Sequence, residues 1–142
     1  MRIYVASSWR NEYQPAVVEC LRRDGHVVYD FRHPAPGNDG FAWGAIDKRW
    51  QSWTVAEYLA ALRHPVAADG FGRDMAALRA ADACVLVMPC GLSAGLEFGY
   101  AVGAGQRTAV FVPAIREPDL MVAMADVVTD DFLALRAWAA RR

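Results

Sequence analysis

Residues 83–112 constrain the fold more than any other part of the chain. They read ACVLVM, a turn at Pro89-Cys90-Gly91, then SAGLEFGYAVGAG and TAVFV. Two short Val-rich runs without polar alternation suit strands covered on both faces, which is the situation of a parallel sheet. A helical stretch between two such strands is a βαβ crossover, right-handed with parallel strands. The same grammar opens the chain. Residues 2–6 are β-rich and end in Ser7-Ser8; residues 12–24 set Val17, Val18 and Leu21 against Arg22, Arg23 and Asp24 and stop at Gly25; residues 26–30 are a second strand.

Elsewhere the pattern is less even. HPAPGNDG, residues 33–40, is a loop, followed by Phe41, Trp43, Trp50 and Trp53 in a polar setting. Two readings of these aromatics stand side by side, a lid or pocket wall and a plug for one end of the core. Thr54 followed by Glu57 predicts a capping box opening a helix to about residue 63. Further helices are expected over 69–81 and 93–105, strands over 83–88, 108–112 and 126–129, and a last helix capped by Asp130 or Asp131 and running to Trp138. These elements predict one α/β domain over residues 1–142: a flavodoxin-like, Rossmann-like, doubly wound five-stranded parallel sheet in which 31–68 is an insertion or lid. In such sheets ligands lie beyond the carboxyl ends of the strands at the switch point, flanked here by loops 6–11 and 89–94.

Composition narrows the function. The 142 residues are 55% hydrophobic and 22% charged, with a net charge of −1, which fits a folded globular chain and gives no basic footprint for nucleic acid. The N-terminus lacks a signal-peptide core, and Pro89, Cys90-Gly91 and Glu97 interrupt the one window long enough to suggest a membrane span. Cys20, Cys84 and Cys90 in apolar surroundings read as reduced thiols, so a cytoplasmic protein is expected. No Cys/His spacing predicts a metal site, and no cofactor is expected.

Glu97 is the only charge between Asp82 and Arg107. It falls about one turn into the helix after strand three, at the crevice, with Ser93 as the expected N-cap. As a helix-dipole partner it would contribute at most about 1 kcal/mol. The helix around it is apolar or small on every side, so burial on more than one face is expected, and a carboxylate kept in such a setting points to function. Gly95, Gly99 and Gly103 form a stripe nearly opposite Glu97, each costing roughly 1 kcal/mol of helix propensity against Ala. Close packing on the sheet or on a second subunit's helix would offset that cost. Asp74, read as lying near the start of its helix, falls on the crevice side, as a dipole partner or an acid in the site. Asp82, at the helix end, falls at the opposite edge.

IYVASSWRN at 3–11, GRDMAALRAADACVLV at 72–87 and SAGLEFGYAVGAGQRTAVFV at 93–112 resemble the nucleoside 2-deoxyribosyltransferase superfamily, which includes the 2'-deoxynucleoside 5'-monophosphate N-glycosidases. The three blocks cover about a third of the chain, in the right order; residues 31–68 show no match. The resemblance implies that Glu97 is the nucleophile forming a glycosyl-enzyme ester, that Tyr4 orients it, and that Asp74 is the acid beside the nucleobase, the division of labour found in retaining glycosidases. The transferases carry an acidic pair about six residues before the nucleophile, where this chain has Cys90-Gly91. Ser8-Trp9-Arg10 falls where the monophosphate hydrolases bind phosphate. A 5'-phosphate is therefore expected on Ser8, Arg10 and the Ser7-Ser8-Trp9 backbone, Arg10 standing in a helix's first turn, with Gly91 and Ser93 across from it. The implied protein is a cytoplasmic N-glycosidase or deoxyribosyltransferase acting on a small nucleotide or nucleoside, without metal, cofactor, nucleic acid or membrane, and assembled as a homodimer or larger homo-oligomer. Two rivals remain: a TIR-like NAD glycohydrolase, which also uses a Glu on a flavodoxin-like sheet, and a nucleotide-binding sensor without turnover.

Overall fold

The computed structural model describes residues 1–141. The chain divides into two compact units, Met1–Asp30 with Leu78–Arg142, and Phe31–Ala77. The first unit holds, among the described residues, a five-stranded parallel sheet in the order β2-β1-β3-β4-β5, formed by β1 (Arg2–Ala6), β2 (Val27–Asp30), β3 (Ala83–Val87), β4 (Arg107–Phe111) and β5 (Val127–Thr129). This is the flavodoxin-like order expected from the sequence.

Side-chain alternation sorts the two faces of the sheet. Ile3, Val5, Val28, Ala83, Val85, Val87, Ala109 and Phe111 form one core with Val17, Val18 and Leu21 of α1 (Gln14–Arg23) and Leu135, Trp138 and Ala139 of α5 (Phe132–Ala140). Burial at Gln14, Val17, Val18 and Leu21 follows the helical period. Gly25, at φ +87°, ends α1 in a left-handed conformation that costs glycine nothing. The other face carries Tyr4, Ala6, Cys84, Leu86 and Val110, all buried, under α4 (Leu92–Gly103). At the amino edge, away from the crevice as expected, Asp82 accepts the Arg2 N–H at 2.6 Å.

The Phe31–Ala77 unit contains α2 (Val55–Ala61) and most of α3 (Pro65–Ala80). The Thr54/Glu57 capping box is present. The aromatics pack on one another: Trp43 stands edge-on to Phe41, Trp53 and Tyr58 at centroid distances of 4.7, 5.6 and 6.0 Å. Asp47 accepts the Trp53 indole N–H at 2.9 Å. Gly70 on α3 is required here, since a Cβ would lie 2.9 Å from Phe41.

α3 begins four residues before the expected position 69. Proline is a good first helical residue, its missing N–H being one no helix start uses, and His64 Nδ1 accepts the Val66 N–H at 3.2 Å. Asp74 is therefore the tenth of sixteen residues rather than a first-turn residue. Asp131, of the two candidates, caps α5 by accepting the Leu133 N–H at 2.8 Å.

Candidate functional site

β1 and β3 are parallel neighbours, so the loops following them meet at one edge of the sheet. The loop after β1 is tied down from inside. The Ser7 hydroxyl, buried, donates to the Val87 carbonyl at 2.9 Å. Residues 8–11 form a turn closed by Asn11 N to Ser8 O at 3.0 Å, with Arg10 N donating to Ser8 Oγ at 3.3 Å. α1 starts only at Gln14, so Arg10 is an exposed loop residue and not part of a first helical turn. Two amides at the start of α1 are already occupied, because Asn11 Oδ1 accepts from Tyr13 N and Gln14 N. Trp9 is exposed.

The loop after β3 is built otherwise. Gly91, with extended backbone, holds the N-cap of α4, and among the described residues no side chain caps it. Ser93, expected as the cap, lies inside the first turn and is exposed. A glycine caps almost as well as Ser while leaving the first amides facing outward. Beside this end lies a cleft of about 910 Å³ whose lining includes Ser8, Arg10, Cys90, Gly91 and residues 116–122 of the β4–β5 connection. The Cys90 thiol donates to Met88 Sδ at 3.6 Å. Burial, with Asp119 and Glu97 nearby, pushes that thiol above its usual range, so it stays protonated at neutral pH.

Ala94, Phe98 and Ala101 are the buried side of α4. At about 100° per residue, Glu97 flanks that side toward β1, and Gly95 flanks it toward the β4 cleft. Glu97 is half-buried. Its charge, after burial, is a further cause pushing the Cys84 thiol of β3 far upward. Cys84 is the register partner of Tyr4. Tyr4 is fully buried and stacks on Tyr29 at 5.2 Å. Glu97, Cys84 and Tyr4 thus share the layer between α4 and the sheet. The expectation that α4 is buried on several sides does not hold: Leu92, Leu96 and Tyr100 are 80%, 66% and 39% exposed. Packing of the glycine stripe on the sheet is also excluded, because a Cβ at Gly95, Gly99 or Gly103 would meet nothing within 4 Å.

No family model and no curated protein matches the sequence. Among solved structures, a 2-deoxyribosyltransferase from the psychrotolerant bacterium Bacillus psychrosaccharolyticus superposes with a TM-score of 0.63, covering 95% of this chain and 90% of that one at 19% identity. The chain has the fold of that 2-deoxyribosyltransferase. That enzyme is described as a biocatalyst for the synthesis of nucleosides.

On this deoxyribosyltransferase fold, Tyr4, Ser7, Ser8, Trp9, Arg10, Gly91, Ser93 and Glu97 all belong to the sheet unit, and Asp74, half-buried, belongs to Phe31–Ala77. Sequence reasoning misses Asn11, whose amide joins the two edge loops. The available signal is an Asn a few residues before the helix it serves, a common turn and capping residue.

Proposed function

We propose that the chain cleaves the N-glycosidic bond of a nucleoside 5'-monophosphate or nucleoside, with Glu97 as nucleophile. The observation that carries this reading is one carboxylate, half-buried in an otherwise uncharged helix, at the switch-point edge of a deoxyribosyltransferase fold. Glu97 attacks the anomeric carbon as the C–N bond breaks, and Asp74 gives its proton to the departing base. The resulting ester is then opened by water or by a second base. Tyr4 orients Glu97 from the neighbouring strand. The phosphate is received by Ser8, Arg10 and the turn amides of Ser7 and Trp9 on one side, and on the other by Gly91, Ser93 and the open start of α4, where amides and the helix dipole favour an anion. Ser7 contributes through its backbone, since its hydroxyl is engaged with Val87. The reading needs neither metal nor cofactor and fits a soluble cytoplasmic protein. The exposed Leu92, Leu96 and Tyr100 beside an open glycine stripe support a homodimer packed through α4.

The deciding experiment incubates the protein with nucleosides, their 5'-monophosphates and NAD and measures free base by chromatography. Release from monophosphates or nucleosides is the expected result. Release from NAD alone, or from nothing in the panel, overturns the reading.

A further inference from the structure

We infer that Asn11 sets the spacing between the two loops at the carboxyl edge of the sheet and is thereby a positioning residue for the reaction proposed above, on which this assignment rests. Asn11 is only 4% exposed. Its one amide engages four backbone groups. Oδ1 accepts from Tyr13 N at 2.8 Å and from Gln14 N at 2.9 Å; Nδ2 donates to Val87 O at 3.3 Å and to Pro89 O at 3.0 Å. An amide side chain has two acceptor sites and two N–H donors, and all four are used. The network also fixes which way the amide points, since a flipped group would turn its N–H groups toward two backbone N–H donors and its oxygen toward two carbonyls.

The two halves of that amide serve different ends. The oxygen caps α1, a task Ser, Thr or Asp performs equally well. The nitrogen reaches across to the end of β3 and to Pro89, immediately before Cys90-Gly91 and the open start of α4. Behind Asn11 lies the turn of residues 8–10, closed by Asn11's own backbone N–H on Ser8 O at 3.0 Å. Ser7 Oγ fastens the same Val87 carbonyl at 2.9 Å. The turn carrying Ser8 and Arg10 is thus held against the end of β3 by two buried side chains, Ser7 and Asn11, and of these Asn11 also reaches Pro89 in the loop carrying Gly91. A ligand received by both loops reads the distance between them, and a fixed distance means less ordering to be done on binding.

The division of labour gives a clean test. Asn11→Asp keeps both acceptor sites for α1 and removes both cross-loop donors. Asn11→Ser keeps a capping oxygen without the reach and without the buried charge, and serves if the aspartate variant does not fold. Asn11→Ala removes everything. Amide hydrogen exchange on the folded variants should show residues 8–10 and 90–93 exchanging at least about tenfold faster in all three, with the first turn of α1 loosened only in Asn11→Ala. In steady-state cleavage of a 5'-monophosphate, Asn11→Asp or Asn11→Ser should raise KM about tenfold, with kcat within about threefold of wild type. A residue that only caps a helix would leave loop exchange and KM unchanged in the Asp and Ser variants, and that result overturns the assignment. If wild type cleaves no nucleotide, the proposed function falls, while the exchange pattern still decides whether Asn11 couples the loops.

Discussion

The helices that follow the two central strands, α1 after β1 and α4 after β3, begin at the same edge and are built by opposite rules. α1 is self-sufficient. Its first amides are met by Asn11, proline stands in its first turn, Arg22 and Arg23 lie in its last, and its buried positions keep a helical period. α4 breaks each of these habits: no side chain caps it among the described residues, three glycines weaken it, apolar residues face outward and a lone glutamate flanks its buried side. Departures from local consistency concentrate where a chain serves something other than its own stability. α1 is a buttress; α4 is where ligand and partner are to be sought.

The largest expected contrast between the two helices is catalytic. Glu97→Gln keeps shape and removes the proposed nucleophile, so base release should fall at least about a thousandfold. The matching change in α1, Glu19→Gln, breaks only an exposed ion pair with Arg23 and should leave the rate within about twofold. Turnover of Glu97→Gln within about tenfold of wild type would remove the distinction and the mechanism together.

Next in size is the phosphate preference. Wild type should favour a 5'-monophosphate over its nucleoside by at least about tenfold, or 1.4 kcal/mol, and Arg10→Ala should erase most of it. Survival of the preference in Arg10→Ala would place the anion elsewhere. A smaller effect is expected from giving α4 the cap it lacks. Gly91 has φ −98°, open to any residue, and a Cβ there meets nothing within 4 Å. Gly91→Asp should stabilise the helix by a few tenths of a kcal/mol while its carboxylate competes for the proposed anion site, raising KM for the monophosphate about fivefold. A rise in thermal stability with unchanged KM would show that the open start of α4 holds no phosphate.

The same contrast explains what is legible in the sequence. Strands such as 83–87 are plain because burial on both faces leaves an uninterrupted apolar run, and the parallel doubly wound sheet follows from the alternation of elements. α1 is plain because its pattern obeys the rules that sequence reading uses. Residues 31–53 have no period, and their order comes from aromatics meeting one another across loops, a relation that spacing does not encode. Pro65 lies between the two helices expected from the sequence and is a start in the structure, which moves Asp74 from a first turn to mid-helix. Glu97 is legible as a charge without company. Asn11 is not, since its importance lies in carbonyls more than seventy residues away.

The smallest expected effect concerns the glycine stripe, and it separates a bare surface from an interface. Gly99 lies inside α4, and a methyl group added there has open space around it. Ala exceeds Gly in helix propensity by roughly 1 kcal/mol, so Gly99→Ala should raise the melting temperature of an isolated subunit by about 3 °C. If the stripe is bare, nothing else changes, and the molar mass by light scattering at tens of micromolar equals that of wild type. If a second copy's α4 lies against the stripe, as proposed, the methyl groups occupy the space that lets the backbones approach. Wild type then has the mass of a dimer, and Gly99→Ala shifts toward monomer at the same concentration. Because dimer stability depends on concentration, melting must be compared at several concentrations to separate the helix effect from the assembly effect. A wild-type mass equal to one chain would end the dimer proposal. The glycines of α4 would then weaken the helix with nothing in return from a partner, unlike any residue of α1.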